Sequence, residues 1–124
     1  MRPHERLEVW QTAVEFVVSI YRETDSFPKD ERFGLTSQIR RAAVSIAANI
    51  AEGAGRESSK EFNYFLSNAQ GSVSELATEL LIAHRLAFLS AEGYGKLAAT
   101  LDSIGRMIVG LMRHLKSKTA GASG

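Results

Sequence analysis

The side chains here that could do chemistry are cations and carboxylates at helical spacing. Arg40 and Arg41 form a pair, Arg56 follows Gly53-Ala54-Gly55, and Arg106, Arg113, His114, Lys116 and Lys118 gather toward the C-terminus. Cations of this kind either contact phosphates or close ion pairs. Arg41 falls near a polar strip of Gln38, Ser45, Asn49 and Glu52, and a matching strip of Asn68, Ser72, Glu75 and Glu79 runs beside the next apolar seam. The two strips are expected to face each other, or a neighbouring subunit, so that Arg41 meets Glu75 or Glu79. Such a pair fixes register and partner more than it adds stability. Arg40, on another face, is open to either a phosphate or a structural role. Asn49 sits at the edge of an apolar stripe, where an unbonded amide costs on the order of several kcal/mol, so it is expected to be hydrogen-bonded and to set register.

Catalytic, cofactor and metal chemistry are not expected. His4, His84 and His114 lie far apart, and no His-Glu-x-x-His or Glu-x-x-His pair occurs. The Gly53–Arg56 stretch fails the spacing of a phosphate-binding loop and of a dinucleotide fingerprint. Its plainer reading is a corner between helices, although a cation beside a helix N-terminus can also hold an anion. No serine stands in a nucleophile elbow. Cysteine is absent, which excludes disulfides and thiolate chemistry.

Positioning these residues falls to helices. Leu7, Trp10, Val14, Val17 and Tyr21 recur at steps of three and four, and Leu35, Ile39, Ala42, Ala43, Ile46 and Ile50 lie on one side of a second helix. Phe62, Leu66, Ala69, Val73, Leu76, Leu80, Ala83 and Ala87 make a third stripe, and Tyr94, Leu97, Leu101, Ile104, Ile108, Leu111 and Leu115 a fourth. Pro28 reads as the start of the second helix, Gly53 and Gly55 as its left-handed stop, Ser58-Ser59-Lys60-Glu61 as a capping box, and Ser90 as a further N-cap. The spacing predicts helices over about 6–24, 29–53, 59–89 and 91–116, one domain over 1–116, and a flexible tail over 117–124. The fold class is all-α, an antiparallel up-down-up-down four-helix bundle.

The totals fit that reading. Fifteen Lys+Arg against 14 Asp+Glu leave a net charge of +1, so nucleic-acid binding requires local clustering or oligomerisation. The start, MRPHERLEVWQ, lacks the apolar run of a signal peptide, and no run reaches the ~20 residues of a membrane span. A cytoplasmic protein with no membrane partner is expected. Apolar residues exceed one bundle's need. Val9 and Phe16 on the first helix, and Val44, Ala47 and Ala51 on the second, fall beside the stripes and read as an oligomer interface.

The run Gln38–Arg56 (QIRRAAVSIAANIAEGAGR) closely resembles the signature of a bacterial family of four-helix bundle proteins, also called rRNA intervening-sequence proteins. Similarity extends over about Leu7 to Leu89. It includes Leu7, Val9, Trp10, Gln11 and Ala13, then Phe27-Pro28, Glu31, Phe33 and Leu35. Further on it includes Glu61-Phe62 with Phe65-Leu66, and Ala69-Gln70-Gly71-Ser72 with Glu75-Leu76. The resemblance implies a homopentameric ring of bundles. It also implies kinship with accessory factors of diversity-generating retroelements, which bind nucleic acid and a reverse transcriptase. Together these readings lead to a non-enzymatic ring that binds RNA or DNA without sequence selectivity. Arg40, Arg56, Arg106, Arg113, Lys116 and Lys118 are the expected contacts, and Gln38, Arg41, Asn49, Glu52, Glu75 and Glu79 the structural polar network. The alternative is a scaffold whose partner is an unidentified protein, with no nucleic-acid role.

Overall fold

The structure, a computed structural model, describes the backbone of residues 1–123 and the side chains of residues 1–118. A 3-10 turn, Pro3–Arg6, leads into helix α1 (Glu8–Thr24), and a second, Lys29–Glu31, precedes α2 (Leu35–Ala54). Helices α3 (Ser59–Arg85) and α4 (Ala91–Ser123) complete the chain. Each helix packs on the next, α4 returns to α1, and the diagonal pairs make no close backbone approach. All four helices are present in the expected order. No described helix is long and apolar enough to cross a membrane.

The expected helix boundaries move where local geometry overrides periodicity. Leu7 is extended, so α1 begins at Glu8, two residues after the expected start. Pro28 opens only a 3-10 turn, and α2 begins six residues late, after Gly34 breaks the backbone path at φ −107°, ψ −116°. Glu31 still serves the new helix, its Oε1 accepting from the Leu35 N–H at 3.4 Å. Ser58 Oγ accepts from the Glu61 N–H at 3.1 Å and Ser90 Oγ from the Gly93 N–H at 3.0 Å, both as N-caps. Helix α4 runs on beyond residue 116 to Ser123, where no proline intervenes. The rest of the expected tail, Gly124 and the side chains of 119–124, lies outside the described residues.

Gly53 and Gly55 do not stop α2 in the left-handed way expected, for no glycine has positive φ among the described residues. Gly53 instead lies where α2 approaches α3 too closely for a side chain. A Cβ there would meet Phe65 Cβ at 2.8 Å and Phe62 Cδ1 at 2.9 Å. The left-handed turn falls on Ala87, at φ 64°. The Ala87 N–H donates to His84 O and the Phe88 N–H to Ala83 O, both at 2.9 Å, which closes α3 in a Schellman motif. That ends α3 at Arg85, four residues early, and leaves Ala87 exposed instead of in the seam. Phe88 then turns back against Phe27, with ring centroids 5.6 Å apart, and Leu89 is buried. His84 secures the same corner, stacked on Tyr94 at 4.6 Å with Nδ1 at 3.2 Å from Leu89 O.

In the core, Ile39, Ile46 and Ile50 of α2 meet Leu66, Leu76 and Leu80 of α3 and Ile104 and Ile108 of α4. The α1 contribution differs from the expected stripe. Val9, Ala13, Phe16 and Ile20 are buried, whereas Trp10, Val14 and Val17 are half-buried and Tyr21 is exposed. Alanine in the left-handed region costs roughly 1–2 kcal/mol. Ala87→Gly should therefore stabilise the protein by about 1 kcal/mol, after the glycine's extra unfolded-state freedom. Reversible thermal or urea unfolding measures this, and an unchanged or lowered midpoint contradicts the Schellman assignment.

Candidate functional site

Where α2 crosses α3 the two polar strips do face each other. Ser45 Oγ lies 2.9 Å from Ser72 Oγ, and Asn49 Nδ2 donates to Ser45 O at 2.9 Å and Ser45 Oγ at 3.1 Å. Asn49 is thus bonded as expected, to its own helix, and reaches α3 only through Ser45. Gln38, Arg41, Ser45 and Glu75 line a groove of about 460 Å³ beside this seam. Among the described residues no ion pair joins Arg41 to Glu75 or Glu79. Arg41 is exposed, whereas Glu79 is 5% exposed with Oε1 lacking a hydrogen-bond partner. A carboxyl this deep escapes the cost of a buried charge by keeping its proton. Burial, then the nearby Glu75 charge, then a hydrogen bond with Glu75 raise its pKa from 4.5 to about 7. Glu52 leaves the network altogether and pairs with Arg56 at 2.8 Å.

This raised pKa carries a sign. Between pH ~4.5 and ~7 the folded state holds a proton that the unfolded state has lost, so stability falls as pH rises through that window. Glu79→Gln keeps the shape and removes the titration. Its unfolding free energy should exceed the parent's at pH 8 by on the order of 2 kcal/mol and converge with it near pH 4. Denaturant unfolding at the two pH values checks this, and equal gains at both would contradict it.

The six expected nucleic-acid contacts divide. Arg40 is committed inside the bundle: Nε donates to Thr24 Oγ1 at 2.9 Å, Nη2 to Tyr21 O at 3.3 Å, and the guanidinium lies 4.5 Å from the Tyr21 ring centroid. It clasps the C-terminus of α1, and buried Thr24 passes the link on by donating to Ile20 O at 2.7 Å. Arg56 is held by Glu52 and lies 4.7 Å from the Phe65 ring centroid. These two are therefore structural side chains first. The α4 cations are freer. Arg106 pairs loosely with Asp102 at 3.8 Å, both largely exposed. Arg113, Lys116 and Lys118 are exposed and make no side-chain ion pair among the described residues. Arg106 and Arg113 line one groove of about 490 Å³ between α3 and α4, with Gln70, Asp102 and Gly105. Gln70 Nε2 donates to Gly105 O at 3.2 Å across it. Lys116 continues that face, about one turn beyond Arg113, while Lys118 is rotated away by ~140°.

The expected oligomer interface is corrected in part. Val9 and Phe16 are 5% and 2% exposed, so they belong to the core of a single chain, whereas Ala47, 8% exposed, packs in that core and also lines the outer groove. Val44 is exposed and Ala51 half-buried, and both line an apolar groove of about 310 Å³ between α1 and α2. Trp10, Val14, Val17 and Val18 form its other wall, and His4, edge-on to Trp10 at 4.7 Å, closes one end. The excess of apolar residues on α1 is real, but the stripes were exchanged. Positions 9, 13, 16 and 20 repeat as regularly as 7, 10, 14 and 17, and periodicity does not say which stripe faces inward. Val18, 44% exposed and beside Val14 and Val17 in the groove, belongs to the outer stripe.

The profile of the 23S rRNA-intervening sequence protein family matches residues 5–110. A search among curated proteins finds no match. The fold is shared with a crystal structure from Bacteroides thetaiotaomicron, a protein of unknown function from the S23 ribosomal protein family. The TM-score is 0.76 at 24% identity, covering 84% of this chain and 97% of that one. With the four helices in the expected order and the profile spanning α1, α2, α3 and most of α4, this chain belongs to the 23S rRNA-intervening sequence protein family.

Proposed function

We propose that the protein acts by binding, as a non-enzymatic homo-oligomer that holds nucleic acid, RNA foremost, on a repeated basic surface. One geometric observation carries this reading: the apolar groove and the basic groove lie on opposite sides of the bundle. The first is bounded by α1 and α2, the second by α3 and α4, and the helices pack in cyclic order. Copies joined through the α1–α2 face keep every α3–α4 groove open. A chain of net charge +1 then presents Arg106, Arg113 and Lys116 several times over, and log K falls by about 0.7 per phosphate contact for each tenfold rise in salt. The pentamer implied by the family resemblance is the expected stoichiometry.

Assembly and binding are separable by experiment. Light scattering should return a multiple of the 13.6 kDa chain, fivefold for the pentamer. Val18→Asp with Val44→Asp, both at positions 44% exposed, should reduce the mass to one chain without loss of helicity. A parent protein that is monomeric at micromolar concentration refutes the assembly.

RNA should bind the intact oligomer at ~50 mM salt and be released steeply as salt rises. Replacing Arg113 and Lys116 by Gln should flatten the salt slope and leave the mass unchanged. An oligomer that forms but shifts no RNA at low salt overturns the nucleic-acid role, and a protein-binding scaffold built on the apolar face then becomes the better reading.

A further inference from the structure

A cleft of about 190 Å³ opens at the other end of the α1–α2 pair, where the chain turns between Thr24 and α2. Three cations line it: Lys29 on the 3-10 turn, Arg32 at the end of that turn, and Arg40 on α2. Asp25 is the one carboxylate in its wall, so the lining is net positive. Thr36, in the first turn of α2, also lines the cleft. It is 6% exposed, and its Oγ1 is buried without a hydrogen-bond partner. A buried hydroxyl without a protein partner costs free energy until something pairs with it, so Thr36 Oγ1 calls for a partner from outside the chain.

The donors already in use do not exhaust the site. Arg40 spends Nε and one Nη2 N–H on α1, two of the five N–H groups a guanidinium carries. Arg32 leans on exposed Phe33 at 5.4 Å, a weak hold that a ligand can replace. Lys29 is exposed and makes no ion pair among the described residues. The start of α2 is not itself the anchor, because Glu31 Oε1 already accepts from the Leu35 N–H. Arg32, Thr36 and Arg40 stand at four-residue steps, and Lys29 approaches from the turn. Donors on separate segments suit an anion with several oxygens better than a planar carboxylate.

We propose that this cleft is a binding site for a phosphate group with at least three unesterified oxygens, either inorganic phosphate or the terminal phosphate of a small-molecule monoester, held by Lys29, Arg32 and Arg40 with Thr36 as neutral donor. A phosphodiester, whose two ester links block oxygens and add bulk, fits the same donors poorly. The site is distinct from the α3–α4 groove and stands or falls separately from the nucleic-acid reading.

Amide chemical shifts of the full chain, titrated with inorganic phosphate at constant ionic strength against chloride, test this. Saturable shifts confined to residues 24–40 are expected, with the same pattern from adenosine monophosphate and none from adenosine. Lys29→Ala with Arg32→Ala should abolish the shifts. Thr36→Val should weaken binding about tenfold by removing a hydrogen bond to a charged group. It should not lower the melting temperature without phosphate, since the hydroxyl has no protein partner to lose. Absence of saturable shifts, equal shifts with chloride, unchanged affinity in Thr36→Val, or equally tight binding of a dinucleotide lacking a terminal phosphate would each overturn the proposal.

Discussion

The bundle is organised around the approach of α2 to α3 at Gly53. A single methyl group there would overlap Phe65 and Phe62, so the interhelical distance at that point is set by the absence of a side chain. From Gly53 the two helices run antiparallel, and their polar strips are brought within hydrogen-bonding distance at Ser45 and Ser72. Farther along α3, Glu79 is buried, and burial together with Glu75 leaves its carboxyl easier to protonate than to pair. The α2–α3 pair is the most extensive of the helix contacts. Helices α1 and α4 complete a core whose geometry α2 and α3 already define.

Much of this was legible from residue spacing. The stripes of α2, α3 and α4 sit in the core nearly as read, because in each the apolar residues to the side are few and the large ones at steps of three and four form one dominant stripe. Helix α1 was ambiguous because it has two. Choosing between Val9–Ala13–Phe16–Ile20 and Trp10–Val14–Val17 requires knowing where α2 and α4 stand, and that is a tertiary fact. Turn geometry was partly hidden for a similar reason. Ala87 occupies a left-handed position that composition assigns to glycine, because the return of Phe88 and Leu89 to the core compensates the backbone strain.

Charged residues were harder to place than apolar ones. The adjacent Arg40 and Arg41 look equivalent in the chain, yet one clasps α1 and the other projects from a groove. A helix turns ~100° per residue, so neighbours in sequence meet different surroundings. Arg56 and Glu52 found each other locally at i, i+4, and this removed both from the networks expected of them. Arg113, Lys116 and Lys118 are exposed, and α4 extends past the expected end at 116, so Lys118 stands on the helix and not in the expected tail.

The cyclic order of the helices has a kinetic consequence. Three of the four helix pairs are joined by short turns, so their contacts form between segments close along the chain, the condition for fast folding. The fourth pair, α1 with α4, joins the two ends of the chain and is the least extensive of the four. Its closure confines the longest loop for the smallest return. The seam between α1 and α4 is therefore expected to be the last to zip and the first to breathe, with amide exchange through partial opening concentrated along it and the α2–α3 pair protected to the global limit.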